Sequence, residues 1–467
     1  MSLIASVSAS INVSVSELHF NKKMLNKRKL IIISDLHIGG DEIIEDFACE
    51  KELIVFLRKK MEYEGELELI ILGDFFDLWK VEDTKDDQVN FVIKKYQNLF
   101  DALKVFGEKH KITVLPGNHD HALSYNKKYQ DDLAKYNIIV DPNQFFKREF
   151  VKGDKIFRVI GEHGNQVEPG SQFPDFNMPT DSSLAYHVNK IIVYKLMRMG
   201  TERKSPYWLR NLDNVENDLI PHWGMSKYFY YELGPFLKAI MIPMFILFAF
   251  AVPYFIFDLI TEFYQPKFMQ PLLIMLDTNT FFKVLIFTLY FNMVVVIIAI
   301  FAWILLKRDF KKRLEEYGVP SFKEIWLSRY NEYKNRAKEI INGENIFNEK
   351  ADFYVTGHTH VAGLHHLKEE GVSFADTGSW KQLMKKVSTR LKFPSVYAPY
   401  FFLTYLTFEE NGDEMVIQLR KWPKIFKAKL TVLERFAVKG NGIPKSVKED
   451  GIVNEIKLPL VKTLKKQ

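Results

Sequence analysis

The chain has 467 residues, with 64 Lys and Arg against 58 Asp and Glu, a formal net charge of +6, 39 Phe and a single cysteine, Cys49. That length allows more than one domain and a sizeable core. The mild positive balance suggests weak attraction to anionic surfaces and falls short of a nucleic-acid-binding signature, while one cysteine excludes a disulfide framework or a thiolate metal site built within one chain.

The opening stretch MSLIASVSASINVSVSELHF lacks a basic start and a long apolar centre, so it does not read as a secretory signal. Residues 1–29 are expected to form a loosely held arm or an extra strand. From Lys29 to Val140, short apolar runs alternate with longer helical patterns. KLIIISD, LELIILGD and KITVLPGN have the length of buried strands, and ELIVFLRKKM and DDQVNFVIKKYQNLFDALKVF between them carry apolar residues at helical spacing. This alternation predicts an α/β sheet. The theme returns at KIFRVIGEHG, ADFYVTGHTH and GVSFADTGSW, and FFLTYLTFEENGDEMVIQLRKW reads as a hairpin with NG at its turn.

Two stretches depart from this pattern. Ala239 to Ile260 is almost wholly apolar, with one acid, Asp258, and Val284 to Leu306 carries no charge. Both reach the ~20 residues needed to cross a ~30 Å hydrocarbon layer, and Pro243 and Pro253 are better tolerated in membrane helices than in soluble ones. The expectation is a transmembrane hairpin over 235–306. A pair of buried core helices and a hairpin dipping into one leaflet are the alternatives. Lys307, Arg308, Lys311, Lys312 and Arg313 follow the second span, and the positive-inside rule places both ends of the hairpin in the cytoplasm. The expected location is thus the inner or cytoplasmic membrane, with the bilayer as a partner. The Lys-rich stretch 436–467 reads as a solvated, mobile tail.

Chemistry-bearing side chains follow the predicted strands. SDLHIG gives Asp35 and His37, GDFFDLW gives Asp74, PGNHD gives Asn118 and His119, GEHGN gives His163, and TGHTH gives His358 and His360. In an open α/β sheet, ligands bind beyond the carboxyl ends of the strands. Taken singly, an Asp after a strand is ordinarily a turn residue or helix cap. Five such strand ends delivering Asp, Asn and His form a set of N and O donors suited to divalent metals. Gly73, Gly117, Gly161 and Gly357 precede these residues and are expected to permit tight turns.

The order D-x-H, GD, GNH, H, GHxH resembles the calcineurin-like metallophosphoesterases, over roughly residues 30–163 and 351–420. The resemblance implies a β-sandwich flanked by helices and two divalent metal ions, Mn first, with Fe, Zn or Co as alternatives. It implies one metal on Asp35, His37, Asp74 and His360, and a second on Asp74, Asn118, His163 and His358. A metal-bridging hydroxide would attack phosphorus in line, and His119 would serve the leaving or a phosphoryl oxygen. Asp120, next in sequence, is the candidate to orient His119. TGSW, Thr377 to Trp380, is read as structural. The catalytic domain is then expected in two parts, 30–163 and 351–435, separated by an inserted lid or substrate region (164–234), the hairpin, and connecting helices (307–350).

Within that family the chain is similar to UDP-2,3-diacylglucosamine diphosphatases, which share SDLH, a segment like GDFFDLW, the His-Gly pair and GHTH. The similarity implies a lipid-linked or nucleotide-sugar-lipid substrate. Arg198, Arg203, Lys204 and Arg210 in the insert are candidates for holding a diphosphate, and a solvated helix face is their other reading. Those enzymes usually carry arginine where this chain has His119, and they generally lack two full spans. The alternative activity is a tethered phosphatase or phosphodiesterase of soluble phosphoproteins or nucleotides. No nucleic-acid partner is expected, and the oligomeric state is left open.

Overall fold

The first strand, Arg28–Ile33 (β1), shows no polar–apolar alternation because both its faces are covered: Leu30 and Ile32 enter one core, Ile31 and Ile33 another. The computed structural model describes residues 28–462, apart from 42, 45–46, 83–86, 204–208, 216–218, 233–234, 265–266, 268–269, 317–321, 391–392 and 441. The expected arm, but for its last two residues, and Lys204 lie outside the described residues.

After β1 come Glu66–Leu72 (β2), Lys111–Leu115 (β3), Ile138–Val140 (β4), Phe145–Lys152 (β5) and Lys155–Glu162 (β6). Beyond the insert follow Phe353–Thr356 (β7), Gly363–Leu367 (β8), Val372–Asp376 (β9), Thr404–Asn411 (β10), Glu414–Lys421 (β11), Gly451–Pro459 (β12) and Val461–Lys462 (β13). They form two mixed sheets. One runs β12-β11-β10-β1-β2-β3-β4; the other runs β8-β9-β7-β6-β13, with β5 also paired to β6. Strands β1 to β4 are parallel to one another, as are β6, β7 and β9.

The inner faces share a core in which Leu30, Ile32, Ile70 and Leu72 meet Phe157, Val159, Phe353 and Val355. On the outer face of the first sheet, helices Glu50–Lys60, Gln88–Lys95 and Gln97–Lys109 bury Phe56, Val92 and Phe100 with Ile31, Ile71 and Val114. On the outer face of the second, Ala337 and Ile340 cover Ile160 and Tyr354. This is the α/β architecture of two sheets flanked by helices. The hairpin of β10 and β11 turns at Gly412, whose φ of 64° needs no Cβ. The expected tail departs from its sequence reading: β12 adds to the edge of the first sheet beside β11, and β13 pairs with β6. Glu455 and Lys457 of β12 are exposed, while Ile456, Leu458 and, just past the strand, Leu460 pack against the core.

Residues up to Tyr228 and from Tyr330 onward form one compact unit, and Phe229–Arg329 form another. The second unit holds helices Pro235–Tyr264, Gln270–Thr278 and Thr280–Glu316. Within them Ile242–Tyr264 and Thr280–Ala302, 23 residues each with mean hydropathies of 2.1 and 2.7, are long and apolar enough to cross a membrane by length and composition. Only 11% of each is buried, and Phe250, Phe287 and Phe301 stand exposed. The acid Asp258 accepts a hydrogen bond from the Tyr290 hydroxyl of the facing helix.

Burial of a Leu side chain such as Leu460 stabilises by about 1.5–3 kcal/mol. Truncation after Asp450 should therefore lower the melting temperature by several degrees, at about 2–4 °C per kcal/mol. An unchanged melting curve would mean that the basic tail is the mobile end its composition suggests.

Candidate metal centre

Five strands end at this site. β1, β2 and β3 deliver Asp35, His37, Asp74 and Asn118 from one sheet; β6 and β7 deliver His163, His358 and His360 from the other. The loops are stitched together by backbone hydrogen bonds: Asp35 N to Gly73 O (3.2 Å), His37 N to Asp74 O (2.9 Å), Gly73 N to Leu115 O (3.1 Å) and Gly357 N to His163 O (2.8 Å). Asp35, His37, Asp74, His358 and His360 all have φ between 50° and 69°. The other non-glycine residues with positive φ among those described are three asparagines, which tolerate that region. Left-handed backbone in Asp and His at three of the five turns, those of Asp35, Asp74 and His358, is local strain held by the surrounding fold.

The glycines act by room more than by conformation. Only Gly73 of the four has a positive φ, and a Cβ there would stand 2.2 Å from His163 Nδ1; one on Gly117 would stand 2.3 Å from Asp74 Oδ1. The ring and the carboxylate fill the space that a side chain would take.

The donors meet in groups whose ligand atoms lie within 4.8 Å of one another: Asp35, His37 and His360; Asp74, His163 and His358; and His37, Asp74 and His119. Asp74 belongs to two of them. Its Oδ2 is 3.6 Å from His37 Nε2 and 3.2 Å from His163 Nε2. His360 Nε2 lies 3.3 Å from Asp35 Oδ1 and 3.1 Å from His37 Nε2. Asp35 Oδ1, Asn118 Oδ1 and His163 Nε2 are buried and make no hydrogen bond, although buried polar atoms are ordinarily satisfied. His163 Nδ1 donates to Leu72 O at 2.9 Å, which leaves Nε2 as the bare donor. Orphaned buried N and O atoms converging around shared carboxylates fit divalent cations.

The electrostatics point the same way. Burial opposes ionisation of Asp74, but His163, and then His119, outweigh it and hold the carboxyl below the usual range. Burial also lowers the His163 imidazole, yet Asp74 and Asp35 together raise it to about 10. His37 is pushed well down by burial and then by the Lys381 ammonium, and burial likewise lowers His360. His37 and His360 are thus neutral, as metal ligands must be, while His163 retains a proton that the two carboxylates demand.

His119 sits differently. Its backbone N donates to Asp74 Oδ1 (2.9 Å), its Nδ1 lies 2.9 Å from Asp77 Oδ1, and its ring stacks on Trp79 with centroids 3.9 Å apart. The expectation that Asp120 orients it is corrected here. Asp120 accepts from Phe76 N (3.1 Å) and Gly117 N (2.6 Å), and burial, reinforced by Asp74, raises it to about 7. Its carboxyl is spent on holding two loops together. Asp77 is the missed residue, and it was in view in GDFFDLW, three positions after Asp74. Its Oδ2 also faces His37 Nδ1 at 3.5 Å and the buried Lys80 Nζ at 3.2 Å. Lys80 in turn pairs with Asp213 of the insert at 2.6 Å. Glu168 was missed as well; its Oε2 lies 2.8 Å from His358 Nε2. TGSW braces the first loop: Trp380 N donates to Asp35 O (3.1 Å), and Ser34 Oγ meets Thr377 Oγ1 at 2.6 Å.

The basic candidates of the insert are not gathered here. Arg198 is engaged by Asp41, by Glu82 Oε1 (3.0 Å) and by Lys80 O (3.1 Å). Arg210 donates to Gly200 O at 2.9 Å, and Arg203 is exposed after the helix Tyr194–Glu202. Arg198 and Arg210 are thus engaged by acidic and backbone partners.

Because His163 is protonated below about pH 10, a cation must displace a proton there. Cation affinity should rise with pH through the neutral range, by about ten-fold per unit for one proton released. Calorimetry of Mn²⁺ binding in buffers of different ionisation enthalpy measures that proton, and zero release would remove His163 from the donor set.

Comparison with known proteins agrees with this geometry. The sequence model of one family, calcineurin-like phosphoesterase, matches residues 28–254, a span that includes Asp35, His37, Asp74, Asn118, His119 and His163. No curated protein matches the chain. The chain carries a calcineurin-like phosphoesterase domain and is a hydrolase acting on phosphoester bonds.

Proposed function

We propose that the protein is a membrane-anchored phosphohydrolase with a dinuclear metal centre, cleaving a phosphoester or pyrophosphate bond of a lipid-linked or nucleotide-sugar-lipid substrate. The observation that carries the chemistry is the set of donor groups sharing Asp74. Asp35, His37, Asp74 and His360 would hold one divalent cation, and Asp74, Asn118, His163 and His358 a second, with Mn first for this N and O donor set. Bound there, such cations neutralise charge on phosphoryl oxygens and lower the pKa of a water.

The chain's own residues do the rest. Asp77 accepts from His119 Nδ1, so Nε2 is the atom left to serve a phosphoryl or leaving oxygen. The carboxylate also stabilises the ring when it carries a second proton. The Trp79 face keeps that ring from rotating away, and Lys80, locked between Asp77 and Asp213, keeps the carboxylate in place. Asp120 holds the Gly117 and Phe76 loops at the spacing the donors require.

Anchoring is supported by the two exposed apolar helices. The cations from Lys307 to Arg313 directly after the second support a cytoplasmic side for their outer ends. A lipid-borne substrate would then reach the site by diffusion in the plane of the membrane.

With Mn²⁺ the purified protein should hydrolyse a simple aryl phosphodiester, and Asp74→Ala should abolish this. Asp77→Asn should lower kcat about 10–100-fold at saturating Mn²⁺; full activity in either variant sinks the assignment. In a panel of nucleotide-linked lipids, pyrophosphate lipids and soluble phosphoesters, turnover confined to the soluble ones would favour the alternative substrate class. Membranes carrying the full chain, washed with alkaline carbonate, should retain it, and release into the wash would overturn the anchoring.

A further inference from the structure

His119 also lines a cleft of about 370 Å³, between the turn at Leu78 and Trp79, the turn from His121 to Tyr125, and the insert from Phe173 to Lys190. His119 is its one residue among the metal-site candidates, and His121 and His187 line it too. Its walls are aromatic. Tyr186 stands edge-on to Trp79 with centroids 5.5 Å apart, and Phe173 lies 4.3 Å from the His121 ring. His121 is fixed by the Phe176 carbonyl. The Lys190 ammonium lies 5.3 Å from the Tyr186 ring centroid, and Asp181 and Ser182 also line the cleft.

Size and chemistry narrow the occupant. Ligand pockets run from about 300 to 1,000 Å³, so this one takes a single ring system with a sugar, not paired long chains. Leu78, Ala122 and Pro179 are its only aliphatic lining residues among those described; an acyl chain would be met by Leu, Ile and Val. Flat aromatic walls with polar groups at the edge suit a flat, polar ring, which stacks by its face and hydrogen-bonds by its rim. A cation in the lining suits an attached phosphate.

We propose that this cleft binds the nucleobase and ribose of a nucleotide moiety whose phosphoryl group lies at His119. The placement at the phosphoryl group rests on the proposed hydrolytic role of the site; the binding of the ring does not. The insert thereby supplies recognition through aromatic side chains.

The test compares AMP and UMP with ribose 5-phosphate and dodecyl phosphate, by calorimetry on the full-length protein with Mn²⁺. The nucleotides should bind roughly ten-fold or more tightly than ribose 5-phosphate, the gain expected of one stacked base. Tyr186→Ala and Phe173→Ala should each cut that ratio several-fold. Equal affinity for ribose 5-phosphate overturns the proposal, as does dodecyl phosphate binding more tightly than both nucleotides; neither result depends on a variant folding. Nucleotide preference without any phosphoester hydrolysis would keep the cleft and remove the hydrolytic reading. Hydrolysis without ring preference would do the reverse.

Discussion

A carboxylate buried among imidazoles is stable only when positive charge is brought to it, and Asp74 imposes that condition on the whole site. Two donor groups share it, His119 hangs from its Oδ1 by a backbone N–H, and Gly117 is glycine because Asp74 occupies the space a side chain would need. An unpaired ion at such depth would be prohibitive. With no cation, a proton on His163 meets part of the demand, so the centre behaves as a pocket of fixed negative charge that either protons or metals can fill.

The fold delivers this arrangement by aligning parallel strand ends from two sheets. The turns of Asp35, Asp74 and His358 adopt left-handed backbone at Asp and His, and the hydrogen bonds between neighbouring loops hold it there. The sandwich core beneath those loops is continuous, with large side chains of both sheets interleaved. A rigid base beneath the loops is what keeps several donors converging.

The sequence makes the strands legible because buried parallel strands are short, unbroken apolar runs, and it makes the donors legible because Asp, Asn and His recur just past those runs. It does not reveal which acid stands behind His119. Asp120 is adjacent in sequence, but the tight turn aims its carboxyl at backbone amides, and Asp77 arrives from another strand end. Side-chain partners across loops are set by tertiary approach, which periodicity does not encode. The same applies to Arg198: a cation in an insert reads as free until Asp41 and Glu82 are seen beside it. The last strand was hidden for a different reason. Glu455 and Lys457 interrupt the apolar residues of this edge strand, and the lysine-rich segment after it dominates the composition of the tail. The cleft was invisible because its walls come from three separate segments.

The two histidines of the GHTH turn come from the far side of the apolar hairpin, 195 residues or more along the chain from His163 (358 − 163 = 195). A ribosome making this protein emits both long apolar helices before it emits His358 and His360. Until then the nascent chain has the first-sheet donors and His163 but lacks the last two imidazoles. Cutting the hairpin out by proteolysis at its two ends would likewise divide the ligand set between separate fragments. With these imidazoles holding cations as proposed, competence would wait on completion of the apolar segment, and the hydrolase would gain a built-in delay during its own synthesis.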